Sequence, residues 1–245
     1  MEATIGQAAI KQNGSAINIE KVTREVLRRL SEQAHEAKRP AEPQLRNGFW
    51  ELPVPVGISV HHVHLCVEHI PILFGQGHDL QIYNELYQKG YYAAREQVMV
   101  VGRRRCIEKV RVLGPPRPYS QVELAATDAV AIGLKLPVAT EGTDPGTRPV
   151  TLVGPEGAVT LPGGSGGGAF LARRHVHMSD VTAAELGLKA GDLLDLRIDG
   201  PRPTTLHGIL VRVKSGWQTE VHVDTDEGNA CGIRTGQRAT LLIPR

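Results

Sequence analysis

Short apolar runs, alternating or Val/Leu-rich, dominate the chain from Leu52 onward and predict a mainly β fold. Segments of this kind are PVPVGISV, QVMVVG, CIEKVRVLG, VTLVG, GAVTLP, LLDLRIDG, HGILVRV and TEVHVDTD. Glycine, proline and aspartate separate these segments at regular intervals, as in barrels and sandwiches of short strands. Two short helices are indicated among them, at VEHIPILFG and DVTAAELG.

A different pattern occupies the N-terminal extension, residues 1–46. Between 18 and 34, apolar residues recur on one helical face, at Ile19, Val22, Val26, Leu27 and Leu30. The following stretch KRPAEPQLRNG, with its two prolines, is typical of a linker. The sequence therefore predicts an amphipathic helix on a tether. Three alternatives stay open for its apolar face: this protein itself or a second copy in a homodimer, another protein, or a membrane surface.

The body of the chain contains an internal repeat. HHVHLC at 61–66 matches RHVHMS at 174–179, and each motif is followed by a predicted helix and then by an Asp-Leu pair. Because the spacing is preserved from the motif through the Asp-Leu pair, the repeat predicts two related domains.

We therefore expect a first β-barrel domain over 61–173 and a second over 174–245. The Gly-rich run PGGSGGGAF at 162–170 precedes the second motif. Its composition indicates either a flexible link between the repeats or a mobile loop.

Each repeat carries a His-Val-His triplet, and both imidazoles lie on one face of a strand because side chains alternate with period two. The four histidines are His62, His64, His175 and His177. Zinc accepts such nitrogen ligands. One triplet alone is more often an ordinary surface or core pair, but two at equivalent places predict at least one metal site.

Further metal ligands have to come from later strands, and the candidates are Glu123 and His222. On spacing alone, Glu123 better fits a surface carboxylate. His222, between two valines, fits a solvent-facing position and a ligand position equally well.

Proline stiffens the loop GPPRP at 114–118, which presents Arg117. The planar fork of arginine suits bidentate contact with phosphate. The alternative is a solvated loop residue, since GPRP at 200–203 shows that the same string forms ordinary turns. A further cationic run either meets the phosphates of a nucleotide-like ligand or is a solvated face. It comprises Arg103, Arg104, Arg105, Lys109 and Arg111.

Composition narrows the class of protein. The formal charge of +2 argues against a nucleic-acid partner. No apolar run approaches the roughly 18 residues that a membrane helix needs. The N-terminus lacks the pattern of a secretory signal, and three widely spaced cysteines are not a disulfide framework, so we expect a cytoplasmic protein. P-loop and HExxH motifs are absent from the sequence, so any phosphate chemistry would not use a P-loop.

The chain resembles the PduL-type phosphate propanoyltransferases in four motifs, which occur in this order: VPVGISVHHVHL, VRVLGPPRPYSQVELAATDA, RHVHMS and VHVDTDEGNAC. The resemblance runs from about Pro53 to Leu242. It implies two β-barrel domains with two zinc ions between them, and the exchange of acyl-CoA plus phosphate for acyl phosphate plus CoA. It also implies that the strand at 47–60 packs into the second barrel.

The same resemblance implies roles for individual residues. One zinc ion falls to His62, His64 and Glu123, and the other to His175, His177 and His222. Arg117 takes the position of the phosphate-binding arginine. The positions that contact coenzyme A are Ser59, Arg104, Arg111, Leu113 and Asn229.

This chain departs from the family pattern at two places. His61 stands where an arginine usually precedes the first triplet, and Asn84 where a lysine commonly contacts CoA. Neither is a candidate metal ligand, so the departures bear on the CoA contacts rather than on the chemistry. The helix at 18–34 resembles the encapsulation helices of enzymes inside bacterial microcompartments, which implies a shell protein as partner.

The sequence thus predicts a phosphate acyltransferase for short acyl groups, propanoyl or acetyl. Two alternatives remain: a metal-dependent thioester hydrolase, and a noncatalytic β-barrel module that zinc stabilises. A structural zinc site has four protein ligands, whereas a catalytic site keeps one position open. Three candidate ligands for each metal ion favour catalysis.

Overall fold

The computed structural model describes residues 22–23, 25–26, 43–46 and 48–244. It comprises two compact units, Met1–Glu42 and Pro43–Arg245. The described residues of the first unit are helical, and two members of the predicted apolar stripe, Val22 and Val26, are exposed. The rest of the helix predicted at 18–34 lies outside the described residues.

The second unit is built almost entirely from strands. They are β1 (Gln44–Arg46), β2 (Phe49–Ser59), β3 (His62–His64), β4 (Ile82–Glu85), β5 (Tyr92–Val101), β6 (Cys106–Gly114), β7 (Gln121–Leu124), β8 (Val138–Ala139), β9 (Val150–Val153), β10 (Ala158–Leu161), β11 (Ala169–Ala172), β12 (His175–Met178), β13 (Leu193–Ile198), β14 (Thr204–Val213), β15 (Glu220–Asp224) and β16 (Arg238–Pro244). Its helices are short: α1 (Ile70–Phe74), α2 (Ala126–Ala131), α3 (Asp180–Glu185) and α4 (Thr225–Cys231). The predicted mainly β fold is confirmed. Every described helix is too short to span a lipid bilayer.

One sheet closes into a six-stranded barrel in the order β2-β15-β12-β14-β13-β16, because β2 pairs with β15 along one edge and with β16 along the other. Strand β1 extends β2 as a hairpin. Alternate residues of these strands fill the barrel, and the core rests on aliphatic side chains. Among them are Val56, Val176, Leu196, Ile209, Val221 and Leu241, which are almost inaccessible to solvent.

The other sheet forms a half-barrel in the order β10-β9-β5-β6-β3-β7-β11-β8, with β4 paired to β5. Its end strands β10 and β8 do not pair with each other, so this sheet stays open. Its core is again aliphatic, with Val63, Leu65, Val100, Val112, Val122 and Leu152 fully buried. Because side chains alternate, the histidines beside Val63 point to the opposite face, away from this core.

Polar contacts join the two sheets within this unit. The Gln88 side chain donates from Nε2 to the Gln218 carbonyl at 2.8 Å and accepts from the Gln218 amide at 2.9 Å. Arg212 of the barrel donates to Glu141 beside the half-barrel at 2.6 Å. Because Gln88 is buried, breaking its reciprocal pair would leave unsatisfied amide groups, and the pair therefore holds the sheets in one arrangement.

The Gly-rich run forms a packed turn around a 3₁₀ helix at Gly164–Gly166. A Cβ on Gly167 would lie 2.1 Å from the Ser120 carbonyl oxygen, and one on Gly168 would lie 2.7 Å from that of Arg148. Only glycine permits such close backbone contacts. The structure thus corrects the expectation of a flexible link or a mobile loop.

Candidate metal and acyl-transfer site

The first candidate group of ligands lies on the outer face of the half-barrel. Strand β3 carries His62 and His64, and its antiparallel neighbour β7 places Glu123 directly opposite His62. Glu123 Oε1 lies 3.5 Å from His62 Nε2 and 3.6 Å from His64 Nε2. Both histidines are buried.

The second group repeats this arrangement in the barrel. Strand β12 carries His175 and His177, and its antiparallel neighbour β15 places His222 directly opposite His175. The Nε2 atoms of His175 and His177 are 3.1 Å apart, and the His222 ring stacks on His175 with a centroid distance of 5.1 Å. In both groups, therefore, the third side chain lies directly opposite the first histidine of the triplet, on the neighbouring antiparallel strand.

Hydrogen bonds to backbone carbonyls orient three of the five histidine rings, those of His62, His64 and His175. His62 Nδ1 lies 2.8 Å from the Val60 oxygen and His175 Nδ1 lies 2.9 Å from the Arg173 oxygen, two residues upstream in each case. His64 Nδ1 lies 3.1 Å from the Leu113 oxygen. Since Nδ1 must donate to these carbonyls, Nε2 carries the free lone pair, which is the tautomer of a metal ligand.

Burial and mutual repulsion keep His175 and His177 of the second group neutral. Burial, followed by the charge of His222, lowers the pKa of His175 to about 3. Burial, followed by His222 and His175, lowers the pKa of His177 to about 2. At neutral pH these imidazoles are therefore unprotonated and able to bind a cation. His177 Nδ1 and His222 Nε2 are buried without a hydrogen-bond partner, although Glu220 Oε2 is 3.1 Å from the latter atom.

The first group differs because it contains a carboxylate. Burial raises the pKa of Glu123, but the attraction of His62 and His64 outweighs burial and holds this pKa well below its usual range. Burial lowers the pKa of His62, and Glu123 more than reverses the effect. For His64, burial and repulsion by His62 push the pKa well below its usual value. The carboxylate stays charged and, with two imidazoles, forms a donor set for a divalent cation.

The donor spacing in the first group, and between His175 and His177 in the second, is compatible with a tetrahedral zinc ion. Ligand bonds of roughly 2.0–2.1 Å place neighbouring donor atoms about 3.3 Å apart in a tetrahedron. The donor separations of 3.1, 3.5 and 3.6 Å lie close to that value. Within each group all the donor atoms lie within 4.8 Å of one another. Three donors per group leave a position for a further ligand.

Arg117 lies within electrostatic reach of both groups. Its positive charge lowers the pKa of His64 and Glu123 in the first group and that of His177 in the second. Its backbone amide donates to the Leu65 carbonyl at 2.8 Å, which ties the proline-stiffened loop to the end of the first triplet.

The residues singled out for CoA contact are spread over both sheets. Ser59 Oγ lies 3.4 Å from His62 Nδ1, and the Leu113 carbonyl accepts from His64. Arg111 lies opposite His62 in the parallel pair of β3 and β6. Arg104 lies in the turn between β5 and β6, and Asn229 is exposed on α4. The structure thus brings three of the five beside the first group.

Two residues beside the second group, Trp217 and Glu220, were not predicted from the sequence. The Trp217 ring packs on His177 with centroids 4.0 Å apart, and Glu220 lies beside His222. Glu220 precedes His222 by two residues on one strand, so period-two alternation could have found it. Trp217 lies in the loop before β15 and carries no such signal.

The chain is similar in sequence to known proteins of one family. The sequence model of the phosphate propanoyltransferase family matches residues 55–234. The phosphate propanoyltransferase of Lachnoclostridium phytofermentans is 41% identical over 225 residues, which cover 91% of this chain and 98% of that protein. That of Planctopirus limnophila is 43% identical over 239 residues, covering 97% and 95%. That of Thermotoga maritima is 41% identical over 188 residues, covering 76% and 88%.

This chain therefore belongs to the phosphate propanoyltransferase family. It is an acyltransferase of the phosphotransacylase class.

Gly57 gives a test of how the second group is supported. It lies opposite His222 on β2, and a Cβ there would come within 2.9 Å of Glu220 Oε1 and 3.3 Å of His222 Nδ1. We expect Gly57→Ala to displace both side chains and to weaken metal binding at the second group by about 10–100-fold. Metal titration of the variant measures this, and the first group, which Gly57 does not contact, serves as the internal control. Unchanged affinity at both groups would show that the ring has room to move.

Proposed function

We propose that this protein transfers a short acyl group between coenzyme A and inorganic phosphate, at two divalent metal ions held by the two groups of ligands. Zinc is the metal that we propose. The observation that carries the proposal is the repeated geometry: three convergent donors in each group, in the same register, with one arginine whose charge reaches both. A single group of this kind could arise by chance. Two equivalent groups that both feel the positive charge of Arg117 provide one position for CoA and one for phosphate.

The first group would receive the sulfur end of CoA. A metal ion bound there by His62, His64 and Glu123 favours the thiolate form of CoA, as thiols on zinc are readily deprotonated. Ser59 and the Leu113 backbone lie beside these ligands and would position the end of the pantetheine arm.

Strand β6 would guide the rest of the CoA molecule. Leu113 and Arg111 share the outer face of this strand, which leads back to the turn that bears Arg104. Arg111 is held in place, because its Nη1 donates to the Ala94 and Arg95 carbonyls and its guanidinium lies 4.8 Å from the centre of the Tyr83 ring.

Arg117 would hold phosphate beside the second group. Its guanidinium can form two parallel hydrogen bonds with a phosphate oxygen pair. Arg212 adds positive charge on the same side, since it also lowers the pKa of His175 and His177. Phosphate is already anionic at neutral pH, so its attack on the thioester carbonyl needs no strong general base. Holding the two reactants in line lowers the barrier by on the order of 7–11 kcal/mol.

A thiol-release assay separates this function from its rivals. We expect acetyl-, propanoyl- and butanoyl-CoA to release free CoA only when phosphate is present, with acyl phosphate formed in equal amount. Release without phosphate would instead identify a thioester hydrolase. No release under either condition, with metal bound, would identify a noncatalytic module. The three substrates together rank the acyl chain lengths.

We further propose that the N-terminal extension directs the enzyme into a bacterial microcompartment by binding a shell protein. An alignment over 97% of the chain, as with the Planctopirus limnophila protein, has to include most of residues 1–46. The apolar stripe predicted at 18–34 supplies a surface for such a partner.

Deleting residues 1–42 tests this role. We expect turnover to stay unchanged, because the ligand groups and Arg117 all lie in the unit Pro43–Arg245. Association with shell protein, measured by co-purification, should be lost. Retained association would contradict the proposal, and a change from dimer to monomer instead would assign the helix to self-association.

A further inference from the structure

Helices α2 and α4 occupy equivalent places in the two repeats. Each begins three residues after the third ligand of its group, α2 at Ala126 after Glu123 and α4 at Thr225 after His222. None of the candidate metal ligands lies on either helix. The contacts of the two helices nevertheless lead to both groups of ligands.

The chain crosses between the two sheets directly before each triplet. After β2 of the barrel, Val60 and His61 lead into β3 of the half-barrel. After β11 of the half-barrel, Arg173 and Arg174 lead into β12 of the barrel. His61 and Arg174 are therefore equivalent residues, each at a crossing and each next to the first ligand of its group.

A polar side-chain contact ties each crossing to the helix of the same repeat. His61 Nδ1 lies 3.0 Å from Asp128 Oδ2 in the first repeat, and Arg174 Nε lies 2.7 Å from Glu227 Oε1 in the second. Both acidic residues are the third residues of their helices, and all four side chains are half-buried. Because partly buried contacts are screened less than exposed ones, each helix is held to the crossing beside its own group.

The two helices are joined to each other through their second residues. Thr127 of α2 donates twice to Asp226 of α4, with its amide to Oδ2 at 2.9 Å and with its hydroxyl to Oδ1. The two residues occupy the same position in the two repeats. Because one supplies donors and the other supplies a carboxylate acceptor, the repeats are complementary where they meet.

Asp226 supplies α2 with a cap that the N-cap residue of this helix lacks. That residue, Ala125, has no polar side chain, whereas α4 is capped within its own repeat by Asp224 in a capping box. The first amides of a helix have no partner inside the helix, and a carboxylate that accepts from one of them stabilises the helix. A residue that follows a strand of the barrel therefore caps a helix that follows a strand of the half-barrel.

Together these contacts form one path between the two groups of ligands. In order, the path comprises His61, Asp128, Thr127, Asp226, Glu227 and Arg174. It starts beside the first ligand of one group and ends beside the first ligand of the other. The contact between Thr127 and Asp226 is the step at which the path passes from one sheet to the other, so the carboxylate of Asp226 completes it.

We propose that Asp226 is a positioning residue, which fixes the two groups of ligands relative to each other by capping α2 across the boundary between the sheets. The inference rests on the proposed function, because a reaction between two reactants, one at each group, requires a fixed separation. A misplacement of about 1 Å can cost about 10²-fold in rate. Loss of the cap leaves each group of ligands complete and lets the separation of the two groups vary.

Steady-state kinetics of Asp226→Ala tests this role. In the full-length, metal-loaded protein we expect kcat for phosphate-dependent thiol release from propanoyl-CoA to fall by about tenfold or more. KM for both substrates and the metal content should stay at the wild-type values, because all the ligands remain. The variant should fold, since the buried pair of Gln88 with Gln218 joins the sheets independently. A lower melting temperature with an unchanged kcat would show a merely structural role and overturn the proposal.

Further variants test whether the contact itself is responsible. Asp226→Asn keeps one acceptor oxygen and should recover part of the lost kcat. Thr127→Val removes only the hydroxyl group, so its loss should be smaller, and adding it to Asp226→Ala should cause no further loss. Asp180→Ala, which removes an exposed carboxylate from the first turn of α3, is the matched control and should behave as wild type. Losses that multiply in the double variant would overturn the proposal.

Amide hydrogen exchange, measured without substrates, separates the cap from the proposed function. We expect the Thr127 amide to exchange about tenfold faster or more in Asp226→Ala than in the wild type. The Glu227 amide, which donates to Asp224 within α4, is the internal control and should keep its rate. Equal exchange of Thr127 in the two proteins would overturn the proposal. A wild type that shows this cap but releases no thiol with phosphate would refute the proposed function and leave the cap between the sheets standing.

Discussion

Replacing His175 with alanine is expected to remove about one equivalent of metal from the protein and to abolish most of its turnover. His175 is the member of the second group that lies opposite His222 and whose Nε2 is 3.1 Å from that of His177. Without His175, the imidazoles of His177 and His222 cannot hold the ion in the arrangement that three ligands provide. The first group lies on the other sheet and should keep its metal. Elemental analysis after gel filtration, together with phosphate-dependent thiol release, measures both effects.

His207 provides the matched control for this experiment. It lies on β14 of the same barrel, is largely exposed, and pairs with Asp195 at 2.9 Å. We expect His207→Ala to retain both metal ions and full activity. Full metal retention by His175→Ala would remove this residue from the ligand set, and loss of both ions would mean that the two groups depend on each other.

The second large effect is expected at Arg117. Alanine at this position should raise KM for phosphate and lower turnover by about 10²-fold, the usual cost of removing one preorganised charged contact. Metal content should stay near that of wild type, because the guanidinium acts on both groups through its charge and is not a ligand. Steady-state kinetics at varied phosphate concentration and metal analysis of the same sample test this.

Conservative and remote variants sharpen the test of Arg117. Lysine keeps the charge but not the planar fork, so Arg117→Lys should recover only part of the phosphate affinity. Arg95→Ala, at an exposed position on β5, should behave as wild type. Loss of metal in Arg117→Ala would show that the arginine has a structural role, and an unchanged KM for phosphate would exclude it from binding that substrate.

Much of the candidate site follows from the sequence because its signals are local. The His-Val-His triplets fix two rings on one face of each strand by alternation alone, and their repetition indicates two equivalent sites. The third ligands could not be found in this way. His62 and Glu123 are 61 residues apart, and their pairing depends on the register between β3 and β7, which no local pattern encodes. The resemblance to a family, rather than spacing, indicated Glu123 and His222.

The apolar segments and the triplets predicted ten of the sixteen strands of the described body, but not β1, β4, β7, β8, β11 and β16. All eight apolar segments fall in strands, because alternation and Val/Leu-rich runs are strong signals. Helices α2 and α4 were not predicted from the sequence, whereas α1 and α3, which are no longer, were. Helix α4 did carry a signal: Asp224 and Glu227 form a capping box, with the Glu227 amide donating to Asp224 at 2.8 Å.

Closure of the barrel depends on a contact that composition cannot predict. Strand β2 precedes both triplets in sequence, yet it pairs with β15 and β16 of the second repeat. Only tertiary packing decides which sheet receives this strand, and the resemblance alone implied the answer. Composition also misleads at the Gly-rich run: it indicates a flexible segment, but the run packs closely against the backbone of Ser120 and Arg148.

Anomalous diffraction at the zinc absorption edge, from crystals of the zinc-loaded protein, tests the central claim most directly. We expect two strong peaks per chain, one among His62, His64 and Glu123 and the other among His175, His177 and His222. Both peaks should face the Arg117 guanidinium. Peaks at other side chains, or an empty map at either group, would contradict it.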